Sequence, residues 1–140
     1  MKIYFDSSAL IAGMVEEEEH HAASLKALAE CEDGFTSTHA LAETFATITS
    51  GRLGIQLAPN EAWRIINTNV AGRLNILELT FADYRQAMQN CQAAGARGGA
   101  IFDMLHLQAA RRGNAERILT INIRHFQTFA PDLQNKISLP

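Results

Sequence analysis

The sequence predicts an α/β fold: a central, mainly parallel sheet of four to five strands with helices on both faces. Three observations predict it. Short apolar or β-branched runs recur at Ile3-Tyr4-Phe5, Phe35-Thr36-Ser37-Thr38, Ile76-Leu77-Glu78-Leu79 and Arg117-Ile118-Leu119-Thr120. Each is followed by a longer segment whose apolar residues recur at helical spacing. Strands that alternate with helices in this way pair in parallel through right-handed crossovers. The chain has 140 residues, the length of one domain spanning 1–140, and enough to bury a core without disulfides or a structural metal.

The elements follow in order. Asp6 ends the first strand, and Ser7 and Ser8 cap a helix that begins near Ala9. The polar run Glu16-Glu17-Glu18-Glu19-His20-His21 reads as a solvated loop. A helix is expected from about His21 to Cys31, with Ala22, Leu25, Leu28 and Ala29 inward. Asp33-Gly34 is a turn signal before the second strand. After His39 a helix opens with Glu43 in its first turn and Leu41, Phe45 and Ile48 on its core face. Gly51, Gly54 and Pro59 punctuate a break, and a helix from about Asn60 to Ala71 carries Trp63 beside Ile66 and Val70. Thr80 caps a helix from Phe81 to Ala94, with Tyr84, Ala87, Met88 and Cys91 inward. Gly95–Gly99 lacks the pattern of a dinucleotide loop. The next helix, Ala100–Ala110, is strongly apolar yet contains Asp103, with His106 placed to orient it. After Gly113-Asn114 and the fourth strand comes Asn122, and Lys136-Ile137-Ser138-Leu139 offers an edge strand.

Bulk properties exclude several classes. At 47% hydrophobic and 19% charged residues the composition is that of an ordinary globular domain. No apolar run approaches the roughly 18 residues of a membrane span. The opening apolar residues are interrupted by Asp6 and followed by four glutamates, so they do not read as a signal peptide. Cys31 and Cys91 are too few for a disulfide scaffold or a zinc motif, and reduced thiols point to a cytoplasmic protein. The net charge is −3, but unevenly spread: residues 1–50 hold nine acids against Lys2 and Lys26, whereas residues 51–140 hold ten Lys or Arg against six acids. An acidic pole beside an arginine-rich remainder suits a metal site next to a phosphate-binding surface. For any single arginine, a solvated helix face is the simpler account.

Asp6, Glu43, Asp103 and Asn122 are oxygen donors from four distant segments, and three of them lie just beyond predicted strands. In a parallel sheet those strand ends share one edge. Clustered carboxylates raise one another's pKa, and a hard divalent cation relieves the repulsion. Oxygen-only donors suit Mg2+, with Mn2+ as a substitute. Such an ion activates water and orients a phosphodiester. For Asp6 and Glu43 a plain capping or helix-dipole role is the competing account.

The chain resembles the PIN-domain ribonucleases and, within them, the VapC-type toxins of bacterial toxin–antitoxin pairs. The stretches that carry the resemblance are Asp6-Ser7-Ser8-Ala9-Leu10-Ile11, Ser37-Thr38-His39-Ala40-Leu41-Ala42-Glu43, Gly98-Gly99-Ala100-Ile101-Phe102-Asp103 and Leu119-Thr120-Ile121-Asn122 before His125-Phe126. The resemblance implies a Mg2+-dependent endoribonuclease with Asp6, Glu43 and Asp103 as acidic, metal-holding residues, supported by Ser8. Such toxins often have a fourth aspartate where this chain has Asn122, whose neutral amide still ligates or holds a water but removes one charge. The resemblance also implies an RNA substrate, an antitoxin that blocks the acidic groove, and a homodimer. The alternatives are a DNA nuclease with the same metal chemistry, and a catalytically silent module that binds nucleic acid or a protein partner. A phosphotransfer receiver fits less well, because the first strand ends in a single acid and Lys136 lies too near the terminus.

Overall fold

The computed structural model describes residues 1–140. Its centre is β1 (Lys2–Phe5), which pairs in parallel with β2 (Asp33–Ser37) on one side and β4 (Arg117–Leu119) on the other. β3 (Asn75–Leu77) extends the sheet beside β2, and β5 (Ile137–Ser138) extends it beside β4. The order is β3-β2-β1-β4-β5, parallel throughout. The C-terminal edge strand expected near Ile137 is therefore present, and the five strands meet the upper expected number.

Successive side chains of a strand face opposite ways, and β1 sorts the core accordingly. Tyr4 enters a layer with Phe35, Met104, Leu105, Leu107, Ile118 and Phe126. Phe5 enters the opposite layer with Leu10, Leu28, Ile48, Ile66, Val70 and Leu119. The second layer is closed by α1 (Ser7–Met14), α2 (His21–Glu30), α3 (Thr38–Ser50) and α4 (Pro59–Ile66). The first is closed by α5 (Phe81–Ala94), α6 (Ile101–Arg112) and α7 (Ile123–Phe129).

Helix starts follow local chemistry. Ser37 caps α3 by accepting from the Ala40 amide at 3.1 Å. Thr80 and Asp83 form a capping box on α5. This satisfies orphan amides at the first turn. Asp83, expected only as a surface or capping residue, is also buried and ion-paired with Arg112 at 2.9 Å. Burial alone would push its carboxyl up, but the Thr80 amide, Gln108 and Arg112 hold it below the usual range.

Several expected features differ. Asp33-Gly34 opens β2 rather than a turn, because the two residues pair with Lys2 and Ile3 of β1; a Cβ on Gly34 would meet Leu74 and the Cys31 sulfur. The helix expected over Asn60–Ala71 is α4 followed by a π-helical turn at Asn67–Ala71. The buried faces are rotated towards smaller residues. α2 buries Ser24 and Leu28 while Leu25 is exposed, α3 buries Ala40, Thr44 and Ile48 while Phe45 is at the surface, and α4 buries Ala62 and Ile66 while Trp63 is exposed. On α5 the buried side chains are Asp83 and Ala87, with Tyr84 and Met88 outside. Close helix approach is the reason: Gly13 of α1 faces Ser24 and Leu28 with no room for a Cβ. Small residues mark such contacts, and bulkier neighbours fall to the periphery.

Gly113, just past α6, lies against the Phe35 ring, where an added Cβ would come to 2.2 Å from Cε2. Phe35 is buried and packed edge-on against Tyr4 at 5.2 Å, so the ring cannot yield freely. Gly113→Ala is expected to destabilise the fold by about 1–3 kcal/mol through overpacking, read as a lower midpoint in urea unfolding.

Candidate active site

Asp6 leaves β1 at the C-terminal end of the sheet's middle strand and caps α1. Its Oδ1 accepts from the Ala9 amide at 2.8 Å and from the Ser8 hydroxyl at 2.7 Å, and its Oδ2 accepts from Thr120 at 2.6 Å. The capping account of this residue holds, and the cap fixes the carboxylate in place. Only 1% of Asp6 is exposed. Burial pushes its carboxyl up, opposed by His106 and by the three hydrogen bonds.

Glu43 reaches the same region from α3. Because α3 begins at Thr38, Glu43 lies in the second turn, and the expected first-turn dipole role does not apply. Its partners are histidines. His106 Nε2 lies 2.5 Å and His39 Nε2 3.0 Å from Glu43 Oε1, and the Ser7 hydroxyl donates to the same oxygen at 3.2 Å. Burial would raise this carboxyl, but the His106 hydrogen bond and the nearby His106 and His39 rings hold it far below the usual range.

Asp103 stands in the first turn of α6 with a quarter of its side chain exposed. It lies at the mouth rather than in the core expected from its apolar neighbours, and Phe102 beside it is 49% exposed. The nearest cation, His125 Nδ1, is 3.9 Å away, beyond hydrogen-bond reach. Burial raises the Asp103 carboxyl, His106 and His125 oppose this, and Asp6 and Glu43 raise it further. Asp103 thus feels the charges of Asp6 and Glu43, though burial is the larger cause of its shift. Asn122 is exposed at the start of α7, where its side chain makes no cap. Its amide donates to Thr120 Oγ1 at 2.9 Å, which places its backbone two links from Asp6.

Sequence reasoning missed the supports. Thr120, His39 and Tyr4 were given no role, and Ser7, expected to cap α1, instead donates to Glu43 while Asp6 caps the helix. His106 is a satisfied core histidine that joins Glu43 to the core rather than orienting Asp103. Its Nδ1 lies 2.7 Å from the Tyr4 hydroxyl, which lies 3.1 Å from Ser37 Oγ. Burial pushes the Tyr4 phenol far up, so it remains protonated. The available signal was spacing: His39 is one helical turn before Glu43, and His106 one turn after Asp103.

The donor set fits a hard divalent cation. Each carboxylate oxygen has two lone pairs. Asp6 Oδ1 has both engaged, while its Oδ2 keeps one. Glu43 is engaged through Oε1 only, and Asp103 through neither oxygen. Open lone pairs on these three carboxylates suit Mg2+ or Mn2+. The arginines are less available than the charge distribution suggested. Arg111 pairs with Asp132, Arg112 with Asp83 and the Glu78 carbonyl, and Arg117 with Ser138. Arg97 and Arg124 are exposed on the segments that lead into Asp103 and follow Asn122.

The PIN-domain family model matches residues 3–130. The chain belongs to the PIN-domain family. Its fold is that of Mycobacterium tuberculosis VapC20, a sarcin–ricin-loop-cleaving toxin, with a TM-score of 0.69 at 18% identity over 84% of this chain and 87% of that one. VapBC2 from Rickettsia felis, solved with a promoter DNA fragment, gives 0.64 at 18% identity over 91% and 92%. VapBC-1 from nontypeable Haemophilus influenzae gives 0.63 at 20% identity over 99% and 98%. No curated protein matches the sequence. The resemblance drawn from Asp6, Glu43 and Asp103 and their flanking residues holds at the level of family and fold. No helix of this PIN domain is long and apolar enough to cross a membrane.

Two opposite stability effects follow. Thr120→Val removes a hydroxyl from a buried carboxylate and is expected to cost about 1–3 kcal/mol, measured by denaturant unfolding. Asp103→Asn removes a repelling charge and is expected to raise the melting temperature of metal-free protein at pH 7. The pH dependence has a definite sign. Asp103 and Asp6, whose carboxyls are raised in the fold, add stability to the metal-free protein as pH falls through their folded values. Glu43, whose carboxyl is lowered, withdraws stability once pH falls below its ordinary value of about 4.3. Melting temperature against pH in EDTA is expected to rise on mild acidification and fall at stronger acid, and Asp103→Asn flattens the rise.

Proposed function

We propose that this PIN domain is a metal-dependent endoribonuclease and the toxin of a toxin–antitoxin pair, with Asp6, Glu43 and Asp103 holding Mg2+ and Asn122 beside them. One observation carries the reading: Asp103 has no hydrogen-bonding partner, and its carboxyl is raised first by burial and further by Asp6 and Glu43. A half-buried carboxylate left without a partner, within reach of the charges of two other acids, has the electrostatics of a cation site rather than of a structural network. The fold shared with VapC and VapBC structures supports the toxin assignment, and the VapBC complexes among them support an antitoxin as partner; the unit it binds is a homodimer in this reading.

When bound, the metal supplies a water of lowered pKa and neutralises charge developing on the scissile phosphate. This chain's residues do the rest. Asp6 is immobilised by Ala9, Ser8 and Thr120, so its free Oδ2 lone pair has a fixed direction. Glu43 is kept ionised by His106 and His39, leaving Oε2 available. Asp103, with a quarter of its side chain exposed, faces the solvent side through which a phosphodiester enters. Exposed Arg97 and Arg124 are positioned to contact flanking phosphates. Asn122 adds a neutral oxygen donor where a fourth carboxylate would add charge.

Purified, partner-free protein incubated with a mixed RNA pool is expected to cleave it with Mg2+ and to fail with EDTA. Asp6→Asn and Asp103→Asn are expected to lower cleavage at least a hundredfold while keeping the native circular dichroism spectrum. Undiminished cleavage in both variants would refute the site. No cleavage by folded wild-type protein would favour a silent binding module. Cleavage of DNA as readily as RNA would replace the ribonuclease with a general nuclease.

A further inference from the structure

A second donor set overlaps the acidic one and has different chemistry. The ligand atoms of His39, Glu43 and His106 lie within 4.8 Å of one another. Two are imidazole nitrogens and one is a carboxylate oxygen. Imidazole selects zinc and its transition-metal neighbours over magnesium.

Three features set this cluster apart from a charged surface group. First, His39 Nε2 is buried and makes no hydrogen bond. It lies 3.0 Å from Glu43 Oε1, close enough for an ion pair, but the direction is wrong for an N–H···O bond. The side chain that carries it is only 9% exposed. Buried nitrogens normally have a partner; this one has none, and it lies beside the carboxylate, with the His106 ring 5.1 Å away between centroids.

Second, His106 has the outer contact that zinc-binding histidines use. Its Nδ1 is held by the Tyr4 hydroxyl, itself held by Ser37, and such a contact at the far nitrogen fixes ring orientation and presents Nε2. Third, the cluster is roofed. Phe102 stacks on the His39 ring at 5.4 Å between centroids and 13° between planes. An apolar cover over nitrogen donors lowers the local dielectric and favours a borderline cation with few waters.

We propose that His39, Glu43 and His106 form a zinc site distinct from the oxygen-only site of Asp6, Glu43 and Asp103. The two share Glu43, so a zinc ion held by the histidines withdraws that carboxylate from the other site. Zinc binding itself does not depend on RNA cleavage and is tested separately from it.

The test uses the whole chain, stripped of metal, titrated with Zn2+ against a chromophoric chelator and separately with Co2+. The expected result is one zinc per chain, bound at least tenfold more weakly by His39→Gln and within twofold of wild type by Asp103→Asn. Co2+ is expected to give the intense visible absorption of a nitrogen-containing, low-coordinate site, lost in His39→Gln. Failure to retain zinc, or an affinity unchanged in His39→Gln, would overturn the proposal. So would an equal loss in Asp103→Asn, which would put the ion on the carboxylates. Should His39→Gln not fold, the wild-type Co2+ spectrum decides: a weak, octahedral, all-oxygen spectrum overturns the site.

Discussion

The hydrogen bonds around Asp6 hold this PIN domain's site to its fold. A carboxylate that is almost wholly buried is unfavourable unless its lone pairs are met. Here they are met by the Ala9 amide of α1, the Ser8 hydroxyl and the Thr120 hydroxyl just beyond β4. Ser8 Oγ in turn accepts from the Ile121 amide. One aspartate thus ties the middle strand, the first helix and the last crossover together. Aligning β1 with β2 and β4 brings the other acids to the same end of the sheet.

A second chain of contacts runs through the core. Ser37, Tyr4, His106 and Glu43 follow one another from β2 through β1 to α6 and α3. Tyr4 is fully buried, so the chain is shielded from water along most of its length. Glu43 is consequently not a surface acid that happens to lie near the others. Its charge is compensated by groups whose positions are set by core packing, which is why it remains ionised where Asp103 resists ionisation.

The sequence carried the architecture well. Runs such as Ile3-Tyr4-Phe5 and Arg117-Ile118-Leu119 are short, apolar and bounded by turn chemistry, and strands of that kind have few alternatives. The helix from Phe81 to about Ala94 was legible from its Thr80 cap, and the structure adds a capping box with Asp83 and a left-handed Gly95 at its end. Helix faces were less legible. Periodicity favours large residues such as Leu25, Phe45 and Trp63 as core, whereas tight helix contacts selected Ser24, Ala40 and Ala62. At the site, the acids were visible as carboxylates beyond strands. Their supports were not, because Tyr4, Thr120 and His39 look like ordinary strand or helix residues until the third dimension pairs them.

The separation of Asp6 from Thr120, and of β1 from β4, has a consequence for a chain read as an RNA-cleaving enzyme. β1 is made first, yet one of its two partners in the sheet is made near the end. Until β4 arrives, Asp6 lacks its Thr120 contact and the middle of the sheet has an open side. α6, with Asp103, is also late in the chain. A nascent polypeptide still attached to the ribosome therefore has no assembled acidic centre, although it emerges among dense RNA. Topology delays assembly of the acidic centre until α6 and β4 have both been made.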